Sequence, residues 1–111
     1  LWASYPKALF CYEEMMMNTP NNLHIMAKIA ELHYTLGRKE NLKVAKKYFS
    51  FILLKQDHNV RALWGLKYTC LALQSEKEEE KDAEVTKKLL DLVEERAKNI
   101  YSHHETKAYI Q

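Results

Sequence analysis

At 111 residues the chain has room for one domain, which would bury roughly 65% of the surface its unfolded form exposes. Lys and Arg number 17 against 15 Asp and Glu, a net charge of +2, so there is no one-signed basic face of the kind that nucleic-acid binding uses. The apolar fraction of 47% with only two Gly and two Pro implies long elements with short connections, and no window alternates with the period of a strand, so those elements are expected to be helices.

In chain order, residues 1 to 3 read as the end of an element, and the opening Leu-Trp-Ala without Met reads as a piece of something longer. Ser4 is placed to cap a first helix, with Pro6 in its first turn where no N–H partner is needed. That helix is predicted over Tyr5 to Asn18. Pro20 disfavours helix at Thr19, and Asn22 can cap the second helix, Leu23 to Leu36, with Met26, Ile29, Ala30 and His33 inward. Gly37 suits the left-handed conformation that stops a helix. A third helix is predicted from Glu40 to Gln56 with Leu42, Ala45, Phe49, Ile52 and Leu53 inward. A fourth follows the turn Asp57-His58-Asn59 and takes Val60 to Leu73. The stretch 75–82 contains no apolar side chain and is read as a charged loop, with a capping box between Ser75 and Glu78 as the alternative. A fifth helix is predicted over Ala83 to Tyr101, with Val85, Leu89, Leu92, Val93, Ala97 and Ile100 on one face; residues 102–111 are read as a polar tail.

Moving 37 positions carries Ala8 onto Ala45, Tyr12 onto Phe49, Met15 onto Ile52, Asn22 onto Asn59, Met26 onto Leu63 and Ile29 onto Leu66. Small residues fall on small ones and large apolar residues on large apolar ones, the signature of helical pairs that must stack to bury their apolar faces. The spacing Ala8, Tyr12, Met15, Pro20, and again Ala45, Phe49, Ile52, resembles the second helix of a tetratricopeptide repeat. Met26, Ile29, Ala30 and His33, then Leu63 and Leu66, echo its first helix. The resemblance implies an all-α helix-turn-helix solenoid of about five helices. Residues 1–21 would be the second helix of a truncated repeat, 22–58 a repeat, 59–101 a repeat-like pair and 102–111 the tail. The usual period is 34 residues, so about three extra residues sit in Arg38 to Leu42. In the later unit Lys67 occupies the small-residue position, with Gly65 two places earlier.

A narrower likeness rests on Tyr5-Pro-Lys-Ala8, Phe10-Cys-Tyr-Glu-Glu14, Tyr34-Thr35-x-Gly37, Lys47-Tyr-Phe49 and Arg61-Ala-Leu-Trp-Gly-Leu66. These stretches resemble the family of second subunits of the endoplasmic reticulum membrane protein complex, over about Tyr5 to Leu73. The resemblance implies a non-catalytic scaffold without cofactor, peripheral to the membrane on the cytosolic face of the endoplasmic reticulum. Its partners would be other protein subunits of a complex that inserts membrane proteins. The alternative is a free-standing adaptor that binds a peptide or helix of a soluble partner.

Chemistry has little purchase in this sequence. His24, His33 and His58 are scattered, Cys11 and Cys70 lack a nucleophile motif, and no glycine-rich phosphate loop can be built. In His103-His104-Glu105 neighbouring side chains point about 100° apart on a helix and cannot face one ion. Lone cysteines fit a reducing compartment better than a disulfide framework, no signal peptide is visible, and no apolar run approaches the ~20 residues of a membrane span. His33 is expected to be a packed residue with one hydrogen bond.

By the repeat alignment, the first helix of each pair lines the concave face with His24, Ala27, Glu31 and Tyr34, then Arg61, Trp64, Tyr68 and Leu71. Trp, Tyr and Arg are the types that dominate binding hot spots; the competing reading is that the fifth helix covers Trp64 and Tyr68. Ala27 and Glu31 stand where a carboxylate clamp for chaperone tails would need Lys and Asn, which disfavours that role. The first helix of the opening repeat is expected to be missing, which would leave part of Leu9, Met16 and Trp2 uncovered, a face that invites dimerisation. Light scattering checks this: the apparent mass should rise with concentration, and a strict monomer would count against it.

Overall fold

The computed structural model describes residues 4–76 and 79–110, with the side chains of 101 and 103–110 left aside. Five helices follow one another: α1 (Ser4–Asn18), α2 (Leu23–Leu36), α3 (Lys39–Lys55), α4 (Val60–Gln74) and α5 (Glu80–Ile110). The two turns that repeat in sequence repeat in structure. Asn22 accepts from the backbone N–H groups of His24 and Ile25 at the start of α2, and Asn59 accepts from Ala62 at the start of α4. Each thereby satisfies donors that a helix start leaves orphaned. Gly37 ends α2 at φ 74°, its N–H bonded to the His33 carbonyl, a left-handed position that glycine occupies without steric cost.

Each helix packs on the next, and α2 also meets α4, whereas α3 and α5 have no close backbone approach and meet through the side chains of Lys43 and Lys46 with Asp82 and Thr86. This is the neighbour pattern of stacked helical pairs, with the first helices of successive pairs side by side. The stack is elongated, with extents of 49 × 35 × 25 Å and a Cα radius of gyration of 15.4 Å, against roughly 13–14 Å for a compact domain of this length. The fold is all-α and tetratricopeptide-like, as the repeat implied.

One core runs through the stack. The five positions expected inward on α3, Leu42, Ala45, Phe49, Ile52 and Leu53, are its five buried residues. Phe49 fills the space against α4, where a Cβ at Gly65 would lie 2.5 Å from its ring. Gly65 therefore supplies the close approach, and Lys67, at the nominal small-residue position, stays half-buried with its ammonium 5.0 Å from the Trp64 ring. In α1 nothing is buried. Tyr12 is half-buried where its counterpart Phe49 is 1% exposed, and Met15 is 48% exposed where Ile52 is 0%. The same pattern buries less because α1 packs on α2 alone.

The second half differs from the sequence reading in four places. Ser75 does not open a capping box: its hydroxyl donates to the Ala72 carbonyl at 2.7 Å and closes α4, while Glu78 lies outside the described residues. Helix α5 starts at Glu80, placing Glu80 and Asp82 in its first turn, where carboxylates oppose the positive end of the helix dipole. It continues to Ile110, so residues 102–110 of the stretch read as a polar tail prolong the helix. The buried stripe of α5 is Thr86, Leu90 and Val93, whereas Val85 and Leu92 are 47% and 45% exposed. A helix with one packed neighbour buries one narrow stripe, and apolar residues on both sides of it stay at the surface.

Candidate interaction surface

The proposed concave residues come from α2 and α4, the two first helices that lie side by side. Arg61, in the first turn of α4, reaches back to α2. Its Nη2 donates to Glu31 Oε2 at 2.7 Å, its Nε donates to Glu31 Oε1, and Nη1 lies 3.4 Å from His24 Nδ1. The fork-to-carboxylate geometry is bidentate. It also occupies the guanidinium, so Arg61 offers no unpaired charge to a carboxylate-bearing tail.

Further along α4, Trp64 and Tyr68 stack with ring centroids 6.0 Å apart and an interplanar angle of 24°, an offset arrangement that aromatic pairs favour. Lys67 lies over the Trp64 face, three residues on and thus adjacent on the helix surface. Tyr68 and Leu71 remain 50% and 41% exposed, and Tyr34 on α2 is 40% exposed. Ala27 is buried at 5% and belongs to the core cluster. The structure thus joins His24, Glu31 and Arg61 in one polar cluster and Trp64 with Tyr68 in one aromatic cluster, leaving Tyr34 and Leu71 exposed on the same two helices. Lys67 was not anticipated as part of this surface, although its spacing from Trp64 is visible in the sequence. Beside Glu31, a cleft of about 380 Å³ opens between α1 and α2, with Tyr12, Lys28, Leu32 and Thr35 in its walls.

His33 is half-buried and its Nδ1 lies 3.0 Å from Asn41 Oδ1, tying α2 to the first turns of α3. On α1, Leu9 and Met16 are half-buried, while Phe10 and Met17 are 61% and 83% exposed; Trp2 lies outside the described residues. Among the described residues no helix is long and apolar enough to cross a membrane.

The Arg61 hydrogen bonds hold the Glu31 carboxyl below its ordinary pKa of 4.5, more strongly than its partial burial raises it, and the Arg61 and Lys28 charges add to the effect. A carboxylate whose pKa is depressed by folding stabilises the fold above its unfolded pKa, and that contribution fades as pH falls through the folded value. Both side chains are more than a third exposed, so solvent screening limits the pair to about 0.5–1 kcal/mol. Glu31→Gln is therefore expected to lower the melting temperature modestly at pH 7, with an effect that shrinks as pH falls below the ordinary value of 4.5. A loss that stays the same size across that pH range in thermal melts would contradict it.

A family model described as RNA polymerase I-specific transcription initiation factor Rrn11 matches residues 8–110. Among curated proteins, the chain is similar to ER membrane protein complex subunit 2 of Xenopus tropicalis, 47% identical over 62 residues, covering 56% of this chain and 21% of the relative. Subunits 2-A and 2-B of Xenopus laevis are 47% and 45% identical over the same length and coverage. The chain thus matches about a fifth of the length of these relatives.

Proposed function

From a chain that belongs to the family described as RNA polymerase I-specific transcription initiation factor Rrn11, we propose a non-catalytic subunit that holds other proteins on a rigid helical stack. The assembly is the one for which the curated relatives are named, the endoplasmic reticulum membrane protein complex. Identity of 45–47% over 62 residues to these subunits carries this reading. That identity is far above what helical stacking alone would demand of a sequence, since exposed positions of a solenoid are free to vary.

In this reading the chain sits on the cytosolic face of the membrane as a peripheral scaffold, contributing to membrane-protein insertion through its contacts. Residues 22–58 are one repeat, 59–101 a repeat-like pair and 1–21 the second helix of a further repeat. The concave set His24, Glu31, Tyr34, Arg61, Trp64, Tyr68 and Leu71 forms the docking face. The exposed side of α1 supports self-association where no other helix covers it.

The family description favours a second reading, a subunit of an RNA polymerase I initiation assembly. Both are subunits of larger assemblies and neither name denotes an enzyme. A third, the free-standing adaptor, keeps the concave face and changes the partner. The balanced charge argues against direct nucleic-acid contact under any of them. Affinity purification of the tagged protein from its own cells separates the three: stoichiometric membrane-complex subunits, polymerase initiation factors, or soluble partners. Trp64→Ala with Tyr68→Ala is expected to reduce recovery of the partners at least tenfold, as loss of two aromatic anchors does at a hot spot. Unchanged recovery with unchanged folded stability would remove the concave face from the proposal.

A further inference from the structure

The face of the stack opposite the concave set holds a groove. Leu66 points about 200° around α4 from Trp64 and Tyr68, since each helical residue advances by about 100°. It forms the floor of a space of about 240 Å³ between α3 and α5. The two walls run in register. Lys43 on α3 pairs with Asp82 on α5 at 3.4 Å, and Lys46 donates to the Thr86 hydroxyl at 3.4 Å. Further along, no such bridge is present among the described residues; there the walls are Ser50, Leu53 and Leu54 on one side and Leu89, Leu92 and Arg96 on the other. The helices are tied at one end and parted at the other.

Three observations indicate what the open end accepts. Leu54 and Leu92 stand 80% and 45% exposed at its edges, so an occupant with apolar side chains would take two large aliphatic groups out of water. The Ser50 hydroxyl oxygen is buried without a hydrogen-bond partner, where such groups are ordinarily satisfied. Arg96, half-buried, lies one turn beyond Leu92 on the same stripe of α5 and has no ion pair among the described residues. The volume equals roughly eight waters at ~30 Å³ each, enough for bulky side chains and too small for a folded element.

We propose that this groove docks an amphipathic helix of a partner protein, seating its bulky apolar side chains between Leu54 and Leu92 and pairing a carboxylate with Arg96. The surface is independent of the concave set and of which assembly the protein joins.

The test places a photo-crosslinking residue at the exposed wall, Leu54→p-benzoylphenylalanine, in the full-length protein in its own cells, with Leu71→p-benzoylphenylalanine as the concave-face comparison. The expected Leu54 adduct maps to a helical segment of another protein with an Asp or Glu within one turn of a large apolar residue. Arg96→Glu lowers its yield at least tenfold. Arg96→Gln, which keeps much of the apolar stem, lowers it by a smaller factor and covers the case in which the charge reversal misfolds. No adduct at Leu54, an adduct to a second copy of this chain or to a segment without a nearby carboxylate, or a yield indifferent to both Arg96 substitutions overturns the proposal. A Leu71 adduct lost in the Trp64, Tyr68 double variant while the Leu54 adduct persists separates the two surfaces.

Discussion

Phe49→Ala is expected to destabilise the chain by about 3–5 kcal/mol, the range for removing a fully buried aromatic ring from a core that cannot collapse around it. Phe49 is 1% exposed and lies in the core cluster that joins α2, α3, α4 and α5. Its loss therefore leaves a hole at the centre of the stack. Against a total stability of about 5–15 kcal/mol for a domain of this kind, that is a large fraction. The melting temperature should fall by at least about 12 °C, taking about 4 °C per kcal/mol near this size. The matched control is Tyr12→Ala at the same repeat position one unit earlier. Tyr12 is only half-buried and its helix has a single neighbour, so about 1 kcal/mol is expected, in line with the smaller apolar area it removes from water. Equal losses at the two positions in denaturant unfolding would mean that the ends of the stack are as tightly packed as its middle.

The second large effect comes from adding one methyl group. Gly65→Ala places a Cβ 2.5 Å from the Cε1 and Cζ atoms of Phe49, well inside van der Waals contact, and the ring is enclosed on its other sides. Two effects oppose each other. Alanine in a helix interior is favoured over glycine by about 1 kcal/mol, whereas overpacking a well-filled core costs about 1–3 kcal/mol. With a rigid ring as the obstacle the clash lies at the upper end, and a net loss of about 2 kcal/mol is expected. Phe49→Leu removes the obstructing ring edge, so Gly65→Ala should cost at least about 1 kcal/mol less in that background, a coupling of the size seen for residues in contact. Strict additivity of the two substitutions would show that the close approach of α3 and α4 is relieved elsewhere.

The same pair shows how far linear reasoning carries. Phe49 was legible as inward from its spacing to Leu42, Ala45 and Ile52, and so was the irregularity at Lys67 with a glycine two places earlier. That the glycine receives the ring is a fact of two helices meeting, and no period along one of them encodes it. The residues proposed for the concave face show the same division. Their positions on α2 and α4 follow from the repeat, but Arg61 bridging Glu31 and His24, and Lys67 lying over Trp64, depend on the offset between neighbouring helices and on rotamers.

What the chain's own order of residues determined is local: helix-favouring runs, the Asn22 and Asn59 caps, the Gly37 stop and a period that makes one helical pair copy the last. These depend on contacts within a few residues, so spacing alone carries them. What only the packed structure decided is which side of a helix has a neighbour. Helix α5 has enough apolar residues for more than one stripe, and packing on α4 chose Thr86, Leu90 and Val93, leaving Leu92 and Arg96 on the open groove. Burial is a property of pairs of surfaces, and a single strip of sequence holds only one member of each pair.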